Sequence, residues 1–253
     1  MGPGEHLACV YRGKRERDAA VVSFLLAGLE NNEKCLLVMD ESTREDIVQA
    51  FQRAGAAVEK YLKSGQLELL RVEDTYLKDG YFDPDRTVAM IGQAVEAAIR
   101  EGYRGLRGAA EASWSLRKLP GSERQLEYEA KINRLLPQSQ VTALCLYDER
   151  KFSPKVLLDV IYTHPKIILH NTVCENPSYI RPEDLATREK GEVARAVYQR
   201  VKENIFEAKL REEELDLSRE LMRRNQELHQ LMINRMPIGM ILWDRDFRVR
   251  MWN

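Results

Sequence analysis

The stretch KCLLVMDESTREDIVQAFQRAG, residues 34–55, decides the fold. Lys34–Met39 is an apolar run of the length expected for a strand buried on both faces of a parallel sheet. Ser42 with Glu45 three residues later reads as a capping box, and Ile47, Ala50, Phe51 and Ala54 follow on one helical face until Gly55 stops the helix. Strand, turn, helix and stop within twenty-two residues make one βα unit.

The same unit recurs on both sides. Upstream, His6–Tyr11 (HLACVY) reads as a strand, and a helix over about 16–29 carries Val22, Leu25, Leu26 and Leu29 at helical spacing. Downstream, a short piece at 58–63 leads into a strand at Gln66–Val72. Asp83-Pro84 then starts a helix bearing Val88, Ile91, Val95, Ala98 and Ile99, with Gly102 as its stop. A strand is expected over Tyr103–Ala110, although Gly105, Arg107 and Gly108 interrupt it. Ser122 with Gln125 is expected to open a helix that Pro137 ends; Val141–Tyr147 (VTALCLY) is the next strand. Ser153-Pro154 starts a helix through Tyr162, and Lys166–His170 is expected to be the last buried strand. This alternation predicts the α/β class, a mostly parallel sheet with helices on both faces.

Past Pro182 the composition changes. Residues 183–234 contain no proline, one glycine and a dense mixture of Glu, Arg, Lys and Leu. Leu210 and Leu217 lie a heptad apart, with Leu231 two heptads further on, and Leu221 and Leu228 form another heptad pair. This spacing predicts a long helix that dimerises as a coiled coil through those five leucines, with register changes at Glu214 and Arg224. A solvated single helix laced with i,i+4 ion pairs is the competing reading. The final stretch reads as a hairpin, Gly239–Trp243, a turn at Asp244–Asp246, then Phe247–Met251. Two strands alone are marginal in water, which leads us to expect a longer parent protein. The expected domains are 1–182, 183–235 and 236–253.

Composition narrows the function. Apolar residues make up 44% and charged residues 31% of the chain, a globular balance. A formal net charge of −1 gives no reason to expect nucleic-acid binding. No run approaches the length of a membrane span, and the N-terminal residues lack the order of a signal peptide. Cys9, Cys35, Cys145 and Cys174 are widely spaced and read as buried, reduced thiols of a cytoplasmic protein. No pair of histidines or cysteines has metal-ligand spacing. His6 and Cys9, three apart on a strand, point to opposite faces, and His164 before Pro165 reads as a turn residue. Neither metal nor cofactor is expected.

In an open parallel sheet ligands bind beyond the carboxyl ends of the strands. The residues there give a candidate ligand-binding set: Tyr11, Arg12, Asp40, Glu41, Glu111, Ser113, Trp114, Tyr147 and Asp148. Trp114 reads equally well as a packed core aromatic. The loop after the first strand has a single glycine, two acids (Glu16 and Asp18) and no Lys-Ser/Thr ending. It cannot cradle a polyphosphate in the usual way. No nucleophile motif occurs, so nothing demands an enzyme.

Several segments taken together resemble the MEDS family of methanogen and methylotroph sensory domains: HLACVY, LENNEKCLLVMDES, YLKDGYFDPDR, ASWSLRKLPGSERQLEYEAKIN, LCLYDERKFSPKVLLDVIYTHPKII and CENPSYIRPE. The resemblance covers about the first 182 residues. It implies a RecA/KaiC-like order of strands and helices without a phosphate-binding loop, and a cytoplasmic sensor of small organic molecules coupled to PAS or histidine-kinase modules of two-component signal transduction. The segment INRMPIGMILWDRDFRVRMWN resembles the opening of a PAS domain. Where relatives more often have Gly-Glu after the fourth strand, this chain has Ala110-Glu111. The rival reading is a degenerate RecA/KaiC-like nucleotide-binding ATPase or phosphotransferase, with Glu111 as base and Arg104 or Arg107 as phosphate clamps. A third is a scaffold that only dimerises.

Overall fold

The computed structural model describes residues 2–183, 190–235 and 241–252. The chain falls into two compact units, Met1–Arg200 and Val201–Asn253.

The first unit is built on a seven-stranded sheet. Its strands are β1 (His6–Tyr11), β2 (Lys34–Met39), β3 (Leu67–Arg71), β4 (Leu106–Glu111), β5 (Val141–Asp148), β6 (Lys166–Leu169) and β7 (Thr172–Glu175). Their spatial order is β3-β2-β4-β5-β1-β6-β7, with every pair parallel except β6 with β7. The helices are α1 (Lys14–Glu30), α2 (Arg44–Arg53), α3 (Glu59–Ser64), α4 (Pro84–Arg100), α5 (Gln125–Leu135) and α6 (Pro154–Thr163). The fold is therefore α/β.

Two layers of core follow from the period-two alternation of the strands. Leu7, Cys9, Leu37, Ala109, Leu144 and Leu146 face α1 and α2, where Phe24, Leu25 and Phe51 complete the packing. The opposite face carries Val38, Leu106 and Val141 against Ile132 of α5 and Ala98 of α4. Tyr76, Phe82, Trp114 and Tyr128 form an aromatic cluster in that second layer, with Phe82 and Trp114 centroids 4.5 Å apart.

Several local expectations are corrected. The capping box of α2 is one residue later than expected: Thr43 and Asp46 exchange side-chain and backbone bonds, because the Ser42 hydroxyl bonds Glu111 instead. Ser122 does not cap α5. It starts a 3-10 turn and donates to the Leu119 carbonyl, and the α-helix begins at Gln125. The fourth strand runs Leu106–Glu111, not from Tyr103. The short piece at 58–63 is a helix, α3. The last buried strand is Lys166–Leu169, one residue shorter than expected, and an exposed antiparallel edge strand, β7, follows it. The caps of α4 by Asp83 and of α6 by Ser153 are as expected.

The long helix α7 spans Lys190–Arg235. Near its start Arg200 donates to the Tyr179 carbonyl at 3.1 and 3.2 Å. In the second unit Leu210, Leu217, Leu221, Leu228 and Leu231 are all exposed, and ion pairs such as Arg223 with Glu220 and Glu227 line the helix surface. The expected Met-Pro helix end falls outside the described residues, as do residues 184–189 just past the expected 182/183 boundary. A hairpin follows, β8 (Ile241–Trp243) and β9 (Val249–Trp252), antiparallel. Asp244 holds its turn, accepting from the Asp246 and Arg248 backbone N–H groups.

Candidate functional site

The carboxyl ends of the strands converge on Glu111, the last residue of β4. Its carboxylate accepts from three successive backbone N–H groups, those of Asp40 (2.7 Å), Glu41 (2.7 Å) and Ser42 (3.0 Å). The Ser42 hydroxyl and the Arg17 guanidinium also bond it. A run of backbone donors of this kind is an anion nest. Here the chain's own carboxylate fills it, and Glu111 is only 3% exposed.

The neighbouring strand-end residues close into the same network. Ser113 donates to Asp40 at 2.6 Å and Arg117 bridges Asp40 and Glu73. Arg71 donates to the carbonyls of Asp40 and Ser42. Burial pushes the Asp40 carboxyl up, and Ser113 and Arg117 oppose that. The β1–α1 connection is only Arg12 and Gly13. The Arg12 N–H is taken by Glu16 at 2.7 Å, its side chain by Glu149, and the Arg150 guanidinium lies over Gly13. Asp148 binds Arg150, and Glu41 binds Lys151. The Arg12 N–H and the three N–H groups of the nest are thus already engaged. Arg107 lies on the α1 side of the sheet, buried against Glu33 at 2.5 Å and over the Phe24 ring. Arg104 is exposed and contacts Asn31. Both are occupied near the start of β4, away from its carboxyl end.

A cavity of about 260 Å³ lies within the second core layer, between the sheet and helices α4 and α5. Its walls are overwhelmingly apolar: Leu36 and Val38 from β2, Leu70 from β3, Met90, Ile91 and Ala94 from α4, and Tyr128 and Ile132 from α5. Small residues make the room. Gly108 and Ala110 of β4 and Ala143 of β5 stand side by side on this face, and a Cβ added at Gly108 would meet nothing within 4 Å. At one end Lys34 is held by Glu68 (2.8 Å) and Glu101 (2.9 Å), and all three line the cavity.

None of the nine residues expected to bind ligand lines this cavity. Tyr11, Arg12, Asp40, Glu41, Glu111, Ser113 and Asp148 lie at the strand ends just described. Trp114 is buried in the aromatic cluster, 6.0 Å edge-on from Tyr76, which does line the cavity. Tyr147 is buried near α6, against Phe152 and His164. The signal missed in the sequence is the coincidence of Gly108 and Ala110 on one strand face with Ala94, Ala97 and Ala98 on α4.

A second unforeseen group lies beside α5. His6, Glu129, Cys145 and His164 are buried together. His164, expected in a turn, is the C-cap of α6 and has no solvent exposure. Burial depresses His6 to about 4 and His164 well below the usual histidine range, raises Glu129 to about 8, and pushes the Cys145 thiol up. Cys9 and Cys35 are pushed up to about 12 by burial, as unreactive thiols are. Cys174, expected to be buried, is half-buried on β7, and Cys145 as a residue is likewise only partly buried although its thiol lies within the buried group.

The α/β core thus has an anion nest filled by its own Glu111 and, separately, an apolar cavity against α4 and α5. Residues 5–165 match the family described as MEDS, MEthanogen/methylotroph, DcmR Sensory domain, and the chain belongs to that family. A relative is the transcriptional repressor DcmR of Methylorubrum extorquens, 26% identical over 165 residues, covering 63% of this chain. The chain spans 58% of that repressor's length.

Among solved structures, a KaiC-like protein of Pyrococcus horikoshii is similar over 65% of this chain and 70% of its own, at 19% identity and TM-score 0.47. The flagellar accessory protein FlaH of Methanocaldococcus jannaschii is similar over 68% and 76%, at 12% identity and TM-score 0.48. No described helix is long and apolar enough to cross a membrane.

Proposed function

We propose that this chain is a non-enzymatic sensory input that binds a small, largely apolar organic molecule in the cavity between the sheet and helices α4 and α5. The observation that carries this reading is the cavity itself, about 260 Å³ and walled by Gly108, Ala110, Ala143 and the alanines of α4. An apolar cavity of about 150 Å³ is enough to take up benzene. An unfilled one of this size weakens a core.

The strand-end residues enter this proposal as the shell that responds. A ligand pressing on Tyr76 or Tyr128 moves Trp114, and the adjacent Ser113 transmits that to Asp40, Arg117 and the Glu111 nest. Output then passes along α7, whose exposed leucines Leu210, Leu217, Leu221, Leu228 and Leu231 pair with a second copy as a coiled coil. The hairpin at 241–252 opens a PAS-like module ahead of a kinase or response regulator, in a cytoplasmic protein whose domains fall at 1–182, 183–235 and 236–253. The repressor's name points to transcription as another route of output.

The test is a thermal-shift series on the full chain with benzene, toluene and similarly sized polar molecules, and with ATP and magnesium. The apolar molecules are expected to raise the unfolding temperature in a saturable way. Stabilisation by ATP with magnesium alone would replace the sensor with the nucleotide-binding reading.

A further inference from the structure

Nothing in the sensory reading uses the buried polar group beside α5. One ligand atom each of His6, Glu129, Cys145 and His164 lies within 4.8 Å of all the others. Cys145 Sγ is 3.5 Å from His6 Nε2, and Glu129 Oε2 is 3.6 Å from Nε2 of both His6 and His164. The edges of a tetrahedron around an ion bound at zinc distances are roughly 3.3–3.6 Å.

The surrounding contacts decide which atoms face inward. The Asn133 amide donates to the Thr163 carbonyl at 2.6 Å, which leaves its Oδ1 to accept from His6 Nδ1–H at 2.9 Å. His164 Nδ1 lies 2.8 Å from the Val160 carbonyl, so it too carries the proton. Both imidazoles therefore turn Nε2 lone pairs toward the centre. Tyr147 donates to Glu129 Oε1 at 3.1 Å and is itself held by Gln125 at 2.9 Å, which leaves Oε2 facing the same point. Glu129 Oε2 and His164 Nε2 are buried and have no hydrogen-bond partner. Metal-binding histidines are typically fixed in this manner, through the nitrogen that does not bind.

Buried acceptors facing one another are satisfied either by a shared proton or by a metal cation between them. We propose that His6, Glu129, Cys145 and His164 form a binding site for one divalent transition metal of the zinc type, held by two neutral imidazoles, a carboxylate and a thiolate. The two anionic ligands balance the ion, so no net charge is buried, and the thiol and carboxyl protons leave as it enters. Nitrogen and sulfur donors select zinc or cobalt over calcium or magnesium. Four protein ligands leave no open position, as in a structural site. The ion ties β1, β5, α5 and the end of α6 together at the point where Cys145 also lines the cavity. This site does not depend on what the cavity binds.

The test is a titration of the full chain, stripped with a chelator, with Co²⁺ as the probe. The expected result is one Co²⁺ per chain, tetrahedral visible absorption and a thiolate-to-cobalt charge-transfer band, all displaced by Zn²⁺. Cys145→Ser is expected to abolish the charge-transfer band and weaken binding at least tenfold, whereas Cys174→Ser, at the half-buried thiol of β7, changes neither. Far-UV circular dichroism checks the fold of each variant. If Cys145→Ser does not fold, X-ray absorption of the zinc-loaded wild type decides, with one sulfur, one oxygen and two imidazoles expected. Absence of saturable Co²⁺ binding by the folded chain would overturn the proposal and leave protons to bridge the four groups. So would a band lost in Cys174→Ser, or a metal shell without sulfur.

Discussion

Replacing Gly108 with valine is expected to stabilise this protein, the reverse of the usual outcome for a buried substitution. Gly108 lies mid-strand in β4, paired with Leu36 on one side and Ala143 on the other. Its φ lies outside the left-handed region, and an added Cβ meets nothing within 4 Å. A valine would place three carbons in the cavity, worth about 2 kcal/mol at ~0.8 kcal/mol per buried carbon. Removing a strand glycine adds roughly 0.5–1 kcal/mol. Allowing for imperfect fit, a gain of about 1–3 kcal/mol is expected, or ~2–4 °C in unfolding temperature per kcal/mol for a domain of this size. Urea unfolding at constant m-value measures it. The same variant should weaken the thermal response to benzene, which in the wild type would reach about 2.7 kcal/mol at a hundredfold excess over Kd. Destabilisation by more than about 1 kcal/mol would mean the space beside Gly108 is not there, and the ligand reading would fail with it.

Other consequences are open to measurement. Glu111→Ala leaves the backbone N–H groups of Asp40, Glu41 and Ser42 without their acceptor and removes one of the two carboxylates that Arg17 bonds, so a loss of about 3–5 kcal/mol is expected in urea unfolding; a loss below about 1 kcal/mol would show that the nest is not closed by this carboxylate. Bonds from Arg124 and Lys131 hold Glu127 down at about 2, and those from Lys14 and Thr43 do the same for Asp46. Their stabilising contribution is full above the ordinary carboxylate range and fades as pH falls toward 2. Carbon-detected NMR titration should place both midpoints near 2, and midpoints near 4 would refute those contacts. Lysine at both Leu217 and Leu221 is expected to convert a dimer to a monomer in sedimentation equilibrium while far-UV circular dichroism of the first unit is kept. A wild-type chain that is already monomeric would remove the coiled-coil mechanism.

What could be read in the sequence was what local chemistry determines. The runs HLACVY and VTALCLY, the Asp83-Pro84 helix start and the Ser153 cap depend on neighbours in the chain, and they appear where expected. What could not be read was set from a distance. Ser42 resembles a helix cap until Glu111, sixty-nine residues away, takes its hydroxyl. β4 looked interrupted because its odd residues answer to tertiary partners. Gly105 is pressed against the Gln140 carbonyl, Arg107 is bound to Glu33, and Gly108 opens the cavity. β7 was missed because its residues are mostly exposed and only β6 supports it.

The meeting of the strand-end residues was legible in the sequence, whereas the apolar cavity was not. The strand ends do gather Asp40, Glu111 and Ser113, which bond one another. The cavity and the His6–Glu129–Cys145–His164 group arise where side chains from separate elements face each other. Spacing along the chain carries little trace of that.

The most direct test of the sensory reading is a methyl- and amide-resolved NMR titration of the full chain with benzene. Saturable shifts are expected at the methyls of Leu70, Met90, Ile91, Ala94 and Ile132, with smaller ones relayed to the Trp114 indole. Saturable shifts confined to the amides of Asp40, Glu41 and Ser42, or none at the cavity methyls, would contradict it.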